Sequence, residues 1–91
     1  MKLSQEEIEK ALKNVAGWKY RGLLIKEFEF NDFEAALSFV NKVGEIAQSK
    51  NHHPNILIHD YKKVRIETST HSENGITEKD LDLVKAINKT N

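Results

Sequence analysis

The chain has 91 residues and a mass of 10.5 kDa, enough for one core of ordinary domain size and too little for a second. Its 14 Lys+Arg balance 14 Asp+Glu, for a formal net charge of zero and a pI near 6.9, which argues against the basic excess of a dedicated nucleic-acid binder or a polybasic membrane-surface protein. There is no cysteine, so disulfides, thiolate metal sites and cysteine nucleophiles are excluded.

Mean hydropathy is −0.60, yet the apolar residues recur with clear periods, so a folded single domain over 1–91 is expected. The opening MKLSQEEIEK lacks the apolar run of a signal peptide, and no stretch reaches the ~18–20 apolar residues of a membrane span. A soluble, cytoplasmic protein is the expectation.

Ser4 and Glu7 form a capping-box pattern, and Ile8, Ala11, Leu12 and Val15 repeat on one helical face up to a stop at Gly17. Trp18 and Tyr20 alternate with Lys19 and Arg21 before a turn at Arg21-Gly22, and Leu24, Phe28 and Phe30 alternate with Ile25, Glu27 and Glu29 after it, interrupted by Lys26, which predicts a β-hairpin. Asn31 or Asp32 caps a long second helix, with Glu34 in its first turn. Phe33, Ala36, Leu37, Val40, Gly44 and Ala47 form one apolar stripe on it, and Phe39, Val43 and Ile46 a second. So wide an arc is covered either by this chain alone or also by another subunit.

The helix must end near Asn51, because Pro54 moves His53 out of helical geometry and Asn tolerates a left-handed stop. Ile56, Leu57 and Ile58 begin a strand running to Tyr61, and a turn at Lys62-Lys63 leads into VRIETST. There Val64, Ile66 and Thr68 share one face, while Arg65, Glu67, Ser69 and, if the strand persists, His71 share the other. HSENG reads as a loop, and Thr77 with Asp80 starts a last helix whose buried side is drawn from Leu81, Val84, Ile87 and Leu83. The order α-β-β-α-β-β-α implies an α+β fold, a four-stranded antiparallel sheet with three helices packed on one face.

Four histidines, three of them at 52, 53 and 59, make acid–base chemistry the informative possibility, because imidazole gives and takes protons near neutral pH. His52 and His53 are adjacent, so their side chains diverge and must meet any shared ligand from different angles. Asn51 and Pro54 already stop the helix, and neither His is needed for that. His59, beside Asp60, reads as structural, Asp80 as a helix-capping carboxylate, Tyr61 as a strand aromatic and Trp18 as core. Two neighbouring His followed by Pro fit zinc-ligand spacings badly, and no metal is expected. The four glycines form no phosphate loop, nucleophile elbow or dinucleotide fingerprint. These residues support a small, cofactor-free site run by histidine, without naming its substrate.

HHP at 52–54, the aromatic Tyr61, His71 and Asp80, together with STH at 69–71 and GIT at 75–77, resemble the signature of the pterin-4a-carbinolamine dehydratases. The resemblance extends in size and element order over nearly the whole chain. Two positions depart from the pattern: Gln48 stands where the family carries a charged or ionisable residue, and Asn55 where an acidic one is frequent. If position 48 tunes His52 one turn away, Gln48 leaves a hydrogen bond in place of a charge.

The resemblance implies a dehydratase that removes water from 4a-hydroxytetrahydropterin (4a-hydroxytetrahydrobiopterin). The product is quinonoid dihydropterin, in tetrahydrobiopterin recycling, with no cofactor. His52, His53 and His71 would be the catalytic residues, His52 and His71 moving protons and His53 mainly positioning substrate. His53, Tyr61 and Asp80 would bind substrate, Asp80 by orienting a His or bonding the ring. The partners implied are the small-molecule pterin and further copies of the chain in a homodimer or homotetramer, with no direct nucleic acid and no membrane. The alternative is a non-catalytic pterin-binding or protein-interaction module, like the family members that serve as dimerisation cofactors of a transcription factor.

Overall fold

The structure, a computed structural model, describes residues 1–90. Its elements run α1 (Gln5–Leu12), β1 (Lys19–Tyr20), β2 (Leu24–Glu29), α2 (Phe33–Lys50), β3 (Asn55–His59), β4 (Lys63–Thr68) and α3 (Glu78–Thr90), with a 3₁₀ turn at His71–Glu73. The α+β order read from the sequence holds. The strands form one antiparallel sheet in the order β1-β2-β4-β3, so β4 is central and β3 lies at an edge. No helix is long and apolar enough to cross a membrane.

Alternation explains which face of the sheet is buried. Leu24, Lys26 and Phe28 of β2 stand opposite Thr68, Ile66 and Val64 of β4, and these point towards the helices. Val64, Ile66 and Leu24 are fully buried with Ile8, Ala36, Val43, Leu83, Val84 and Ile87, which is the core shared by sheet and helices. Phe39 from α2 fills the space between Phe28 and Phe30, with ring centroids 4.6 Å and 5.0 Å away.

Lys26 breaks the alternation with its charge but not with its direction. Its Nζ donates to the Ala16 carbonyl at 2.9 Å and to Asn88 Oδ1 at 3.1 Å, and lies 4.6 Å from the centre of the Phe28 ring. Trp18 Nε1 donates to the same Asn88 oxygen at 2.8 Å, so the loop after α1, β2 and α3 share one polar knot. Burial lowers the Lys26 pKa from its usual value.

Several boundaries differ from the sequence reading for local reasons. The helix α1 ends at Leu12, and the following amides bond back three residues, which still brings Val15 into the core. On α2 the inward residues are Ala36, Phe39, Val43 and Ala47, drawn from both predicted stripes, while Phe33 and Leu37 are 49% and 42% exposed. The chain's own core therefore covers Phe39 and Val43, and the outward apolar pair is Phe33 with Leu37. The β3–β4 turn lies at Asp60-Tyr61, both left-handed, two residues earlier than the expected Lys62-Lys63. Tyr61 is consequently a turn residue, 61% exposed, rather than part of a strand.

Ile66 is fully buried in the central strand, and Ile66→Ala is expected to lower unfolding free energy by about 2–5 kcal/mol. Leu57, on the uncovered face, is the control: Leu57→Ala should change it by less than about 0.5 kcal/mol. Urea unfolding followed by circular dichroism measures both.

Candidate active site

The site grows from the end of α2. Asn51 takes the left-handed conformation (φ 52°, ψ 42°), its amide bonds to the Gln48 carbonyl, and the His52 amide bonds to the Ala47 carbonyl at 3.1 Å. This is a Schellman ending, with Asn in the place glycine commonly takes. It fixes the backbone of His52 before any side-chain contact is made, and Pro54 then sends the chain into β3.

The two rings separate at once, as adjacent residues must. His53 Nε2 donates to Gln48 Oε1 at 2.9 Å, on the exposed side. Gln48 therefore serves His53 rather than His52, because the left-handed turn at Asn51 carries His52 away from its own helix. His52 turns inward, 12% exposed, and its Nε2 lies 2.7 Å from Asp80 Oδ1.

Asp80 is fully buried in the first turn of α3. Its Oδ1 accepts from His52 Nε2 and from Thr68 Oγ1 at 2.6 Å, and its Oδ2 accepts from Thr70 Oγ1 at 2.7 Å and the Thr77 amide at 3.0 Å. Burial by itself would raise the carboxyl pKa. The hydrogen bonds from Thr68, His52, the Thr77 backbone and Thr70 outweigh it and hold Asp80 below its ordinary value. Thr77 closes the helix cap in the other direction, its hydroxyl accepting from the Lys79 amide at 3.2 Å.

An ionised carboxylate only accepts, so His52 must donate from Nε2. In neutral His52 the proton therefore sits on Nε2, leaving a lone pair on Nδ1 free to take a proton. A shallow depression of about 160 Å³, lined by Lys50, His52, Lys79 and Asp82, opens beside the ring.

His71 does not continue β4. The strand ends at Thr68, Thr70 pairs with Gly75, and His71 opens the 3₁₀ turn, exposed and without a side-chain hydrogen bond among the described residues. It follows directly on Thr70, whose hydroxyl is on Asp80, so its backbone is anchored next to the buried cluster. Tyr61 is not brought there: it sits at the other end of the hairpin, beyond the whole length of β3. Among the described residues no three His, Asp or Glu side chains are grouped so as to hold a metal ion.

Sequence reasoning missed Thr68, Thr70 and Thr77 as site residues. The available signal was the inward row of β4, which changes from Val64 and Ile66 to threonine at the end nearest His52. His59 is also better connected than its sequence neighbours implied. On the uncovered face its Nε2 meets Glu27 at 2.8 Å and its Nδ1 meets Asp60 at 3.1 Å, while Arg65 Nε donates to Glu27 at 2.8 Å.

The fold and the buried cluster of Asp80 with His52, Thr68, Thr70 and Thr77 define a small α+β protein whose imidazole is held by a carboxylate at one ring nitrogen. Residues 1–90 match the family described as Pterin 4 alpha carbinolamine dehydratase, and the chain belongs to that family. A relative in Sulfolobus acidocaldarius is 43% identical over 90 residues, covering 98% of each chain, and one in Gloeobacter violaceus is 44% identical over 91 residues, covering 94% of this chain and 98% of its own. Both bear the name "putative pterin-4-alpha-carbinolamine dehydratase", the second with the numeral 2. A crystal structure from Brucella melitensis, described as a transcriptional coactivator/pterin dehydratase, superposes with a TM-score of 0.91 at 32% identity and covers 98% of this chain and 97% of its own. A pterin dehydratase-like RuBisCO assembly factor of the alpha-carboxysome shares the fold, with a TM-score of 0.68 at 18% identity over 80% of this chain and 87% of its own.

Two titrations check this geometry. Asp80, with its lowered pKa, stabilises the fold fully above the ordinary carboxylate range and loses that contribution as pH falls through its folded value. Asp80→Asn is expected to cost roughly 3–5 kcal/mol at pH 7, with the gap to wild type closing as urea midpoints are followed into acid. His59 has its pKa raised, first by the Glu27 hydrogen bond and then, against some desolvation, by Asp60. Its share of stability is full below about pH 6.5 and lost as pH rises through the raised value. Its ring resonances should titrate above that ordinary midpoint, and Glu27→Gln should bring the midpoint down.

Proposed function

We propose that the protein is a 4a-hydroxytetrahydropterin dehydratase. The observation that carries this reading, in a member of the family, is the His52–Asp80 pair: a buried carboxylate holds one ring nitrogen and leaves the other free for proton transfer. Dehydration needs two proton movements. An acid protonates the C4a hydroxyl, which leaves as water as the C–O bond breaks, and a base removes the proton from the adjacent ring nitrogen to give quinonoid dihydropterin.

His52 is the base in this proposal. Nδ1 accepts the ring proton, and the ionised Asp80 stabilises the imidazolium that forms. His71, exposed and carried on the turn anchored at Thr70, is the acid. His53, held by Gln48, positions the pterin, and Asp80 acts through His52 rather than by touching substrate. Tyr61 is left outside the proposed site because the hairpin places it at the opposite end. Tetrahydrobiopterin recycling is the proposed setting, with substrate supplied by a hydroxylation that leaves the pterin carrying the hydroxyl.

Self-association is a second proposal, motivated by Phe33 and Leu37, which stand out from α2 in neighbouring turns. Light scattering behind size exclusion should give a mass of two or four chains, and a monomeric Phe33→Ser/Leu37→Ser variant with intact circular dichroism would confirm the surface used.

The assay follows quinonoid product from freshly generated 4a-hydroxytetrahydropterin above the spontaneous rate. Wild type should accelerate it, and His52→Ala and His71→Ala should each reduce turnover by about 10²–10⁴-fold with the fold intact. Full activity in His71→Ala would remove that residue from its role, and a folded wild type without acceleration would overturn the reading.

A further inference from the structure

We propose that Thr68 and Thr70 are positioning residues for His52: by each giving a hydroxyl hydrogen to Asp80, they set how strongly that carboxylate grips the imidazole. The inference rests on the dehydratase reading for its catalytic consequence, though not for its structural content.

The cap of α3 does not require these hydroxyls. Helix capping is met by the reciprocal bonds between Thr77 and the first turn, in which Asp80 uses one oxygen to accept the Thr77 amide. Thr68 and Thr70 come from another part of the chain, the end of β4 and the residue bridging to Gly75, and both are buried. Thr68 occupies a core-facing position in line with Val64 and Ile66, where a hydroxyl is costly unless it is used. Both hydroxyls are aimed at Asp80, one on each oxygen, at 2.6 Å and 2.7 Å.

The direction of every bond follows from the carboxylate. Asp80 has no hydrogen to give, so Thr68 and Thr70 donate to it, and Thr70, 2.8 Å from Thr77 Oγ1, must accept the Thr77 hydroxyl hydrogen. The chain of donation runs from the Lys79 amide to Thr77, to Thr70 and to Asp80, with no rotor left undecided. Each hydroxyl withdraws part of the carboxylate's acceptor strength. An Asp80 with fewer donors would hold the His52 N–H more tightly and favour the imidazolium over the free base. Thr68 shares Oδ1 with His52, so its hydroxyl competes most directly. The other charged groups lining the depression beside His52 are Lys50, Lys79 and Asp82, and these are untouched by a change at either threonine.

The test is a titration of the His52 ring nitrogens by ¹⁵N-detected NMR, in parallel with the pH dependence of turnover, on full-length wild type, Thr68→Val, Thr70→Val and the two Thr→Ser variants. Valine keeps the branched shape and removes the hydroxyl, so the His52 midpoint should rise by about half a pH unit or more, further for Thr68→Val. The acid limb of the turnover profile should move upward with it. Serine, which keeps the hydroxyl, should return the midpoint towards wild type.

A midpoint within about 0.2 pH units of wild type in folded valine variants would overturn the inference, since purely structural threonines would lower stability and leave the titration in place. Should the valine variants not fold, wild type still decides: neutral His52 carrying its proton on Nδ1 would mean that Asp80 does not hold the ring as described. Upward NMR shifts in a protein without dehydratase activity would uphold the threonine inference and sink the reading of the reaction.

Discussion

A single buried carboxylate organises this protein's candidate chemistry. Asp80 takes four hydrogen bonds from three separate parts of the chain: the turn after α2, the end of β4 and its extension, and the start of α3. A buried charge without partners would be costly or neutralised, so the fold must bring donors to this carboxylate for it to stay ionised. Stability and site geometry are therefore specified by the same contacts. His52 is oriented by the interaction that satisfies the core.

The fold was legible because its elements follow simple periods. The inward row of β4, the capping residues Ser4, Asp32 and Thr77, and the stop at Asn51 all appear in the sequence as the structure uses them. Each is a local rule acting where no tertiary contact opposes it. Boundaries were less legible where tertiary packing decides. Tyr61 belongs to a turn because Asp60 accepts a left-handed backbone there, and α1 unwinds early so that Val15 and Trp18 can reach the core.

The site was legible in part for the same reason. His52, His53, His71 and Asp80 stand out by type and spacing, and the resemblance to the family assembled them. Their relations could not be read from spacing. The left-handed residue Asn51 lies between the helix and the pair, and the structure sends His52 to Asp80 and leaves Gln48 to His53, a division that sequence spacing does not display. Thr68 and Thr70 escaped notice because threonine is ordinary in a strand, and its hydroxyl becomes informative only when its target is known.

The knot at Asn88 bears on the site from a distance. Asn88 and Asp80 lie eight residues apart on α3, about 12 Å along the helix axis. One end is tied to Trp18 and Lys26, the other to Thr68, Thr70 and His52. A helix fastened at both ends has little freedom to slide or turn, so the contacts of Trp18 and Lys26 with Asn88 help hold the helix that carries Asp80 in register with the sheet. The amino-terminal third of the chain thereby acts as a clamp on the far end of the helix whose near end presents the carboxylate to His52.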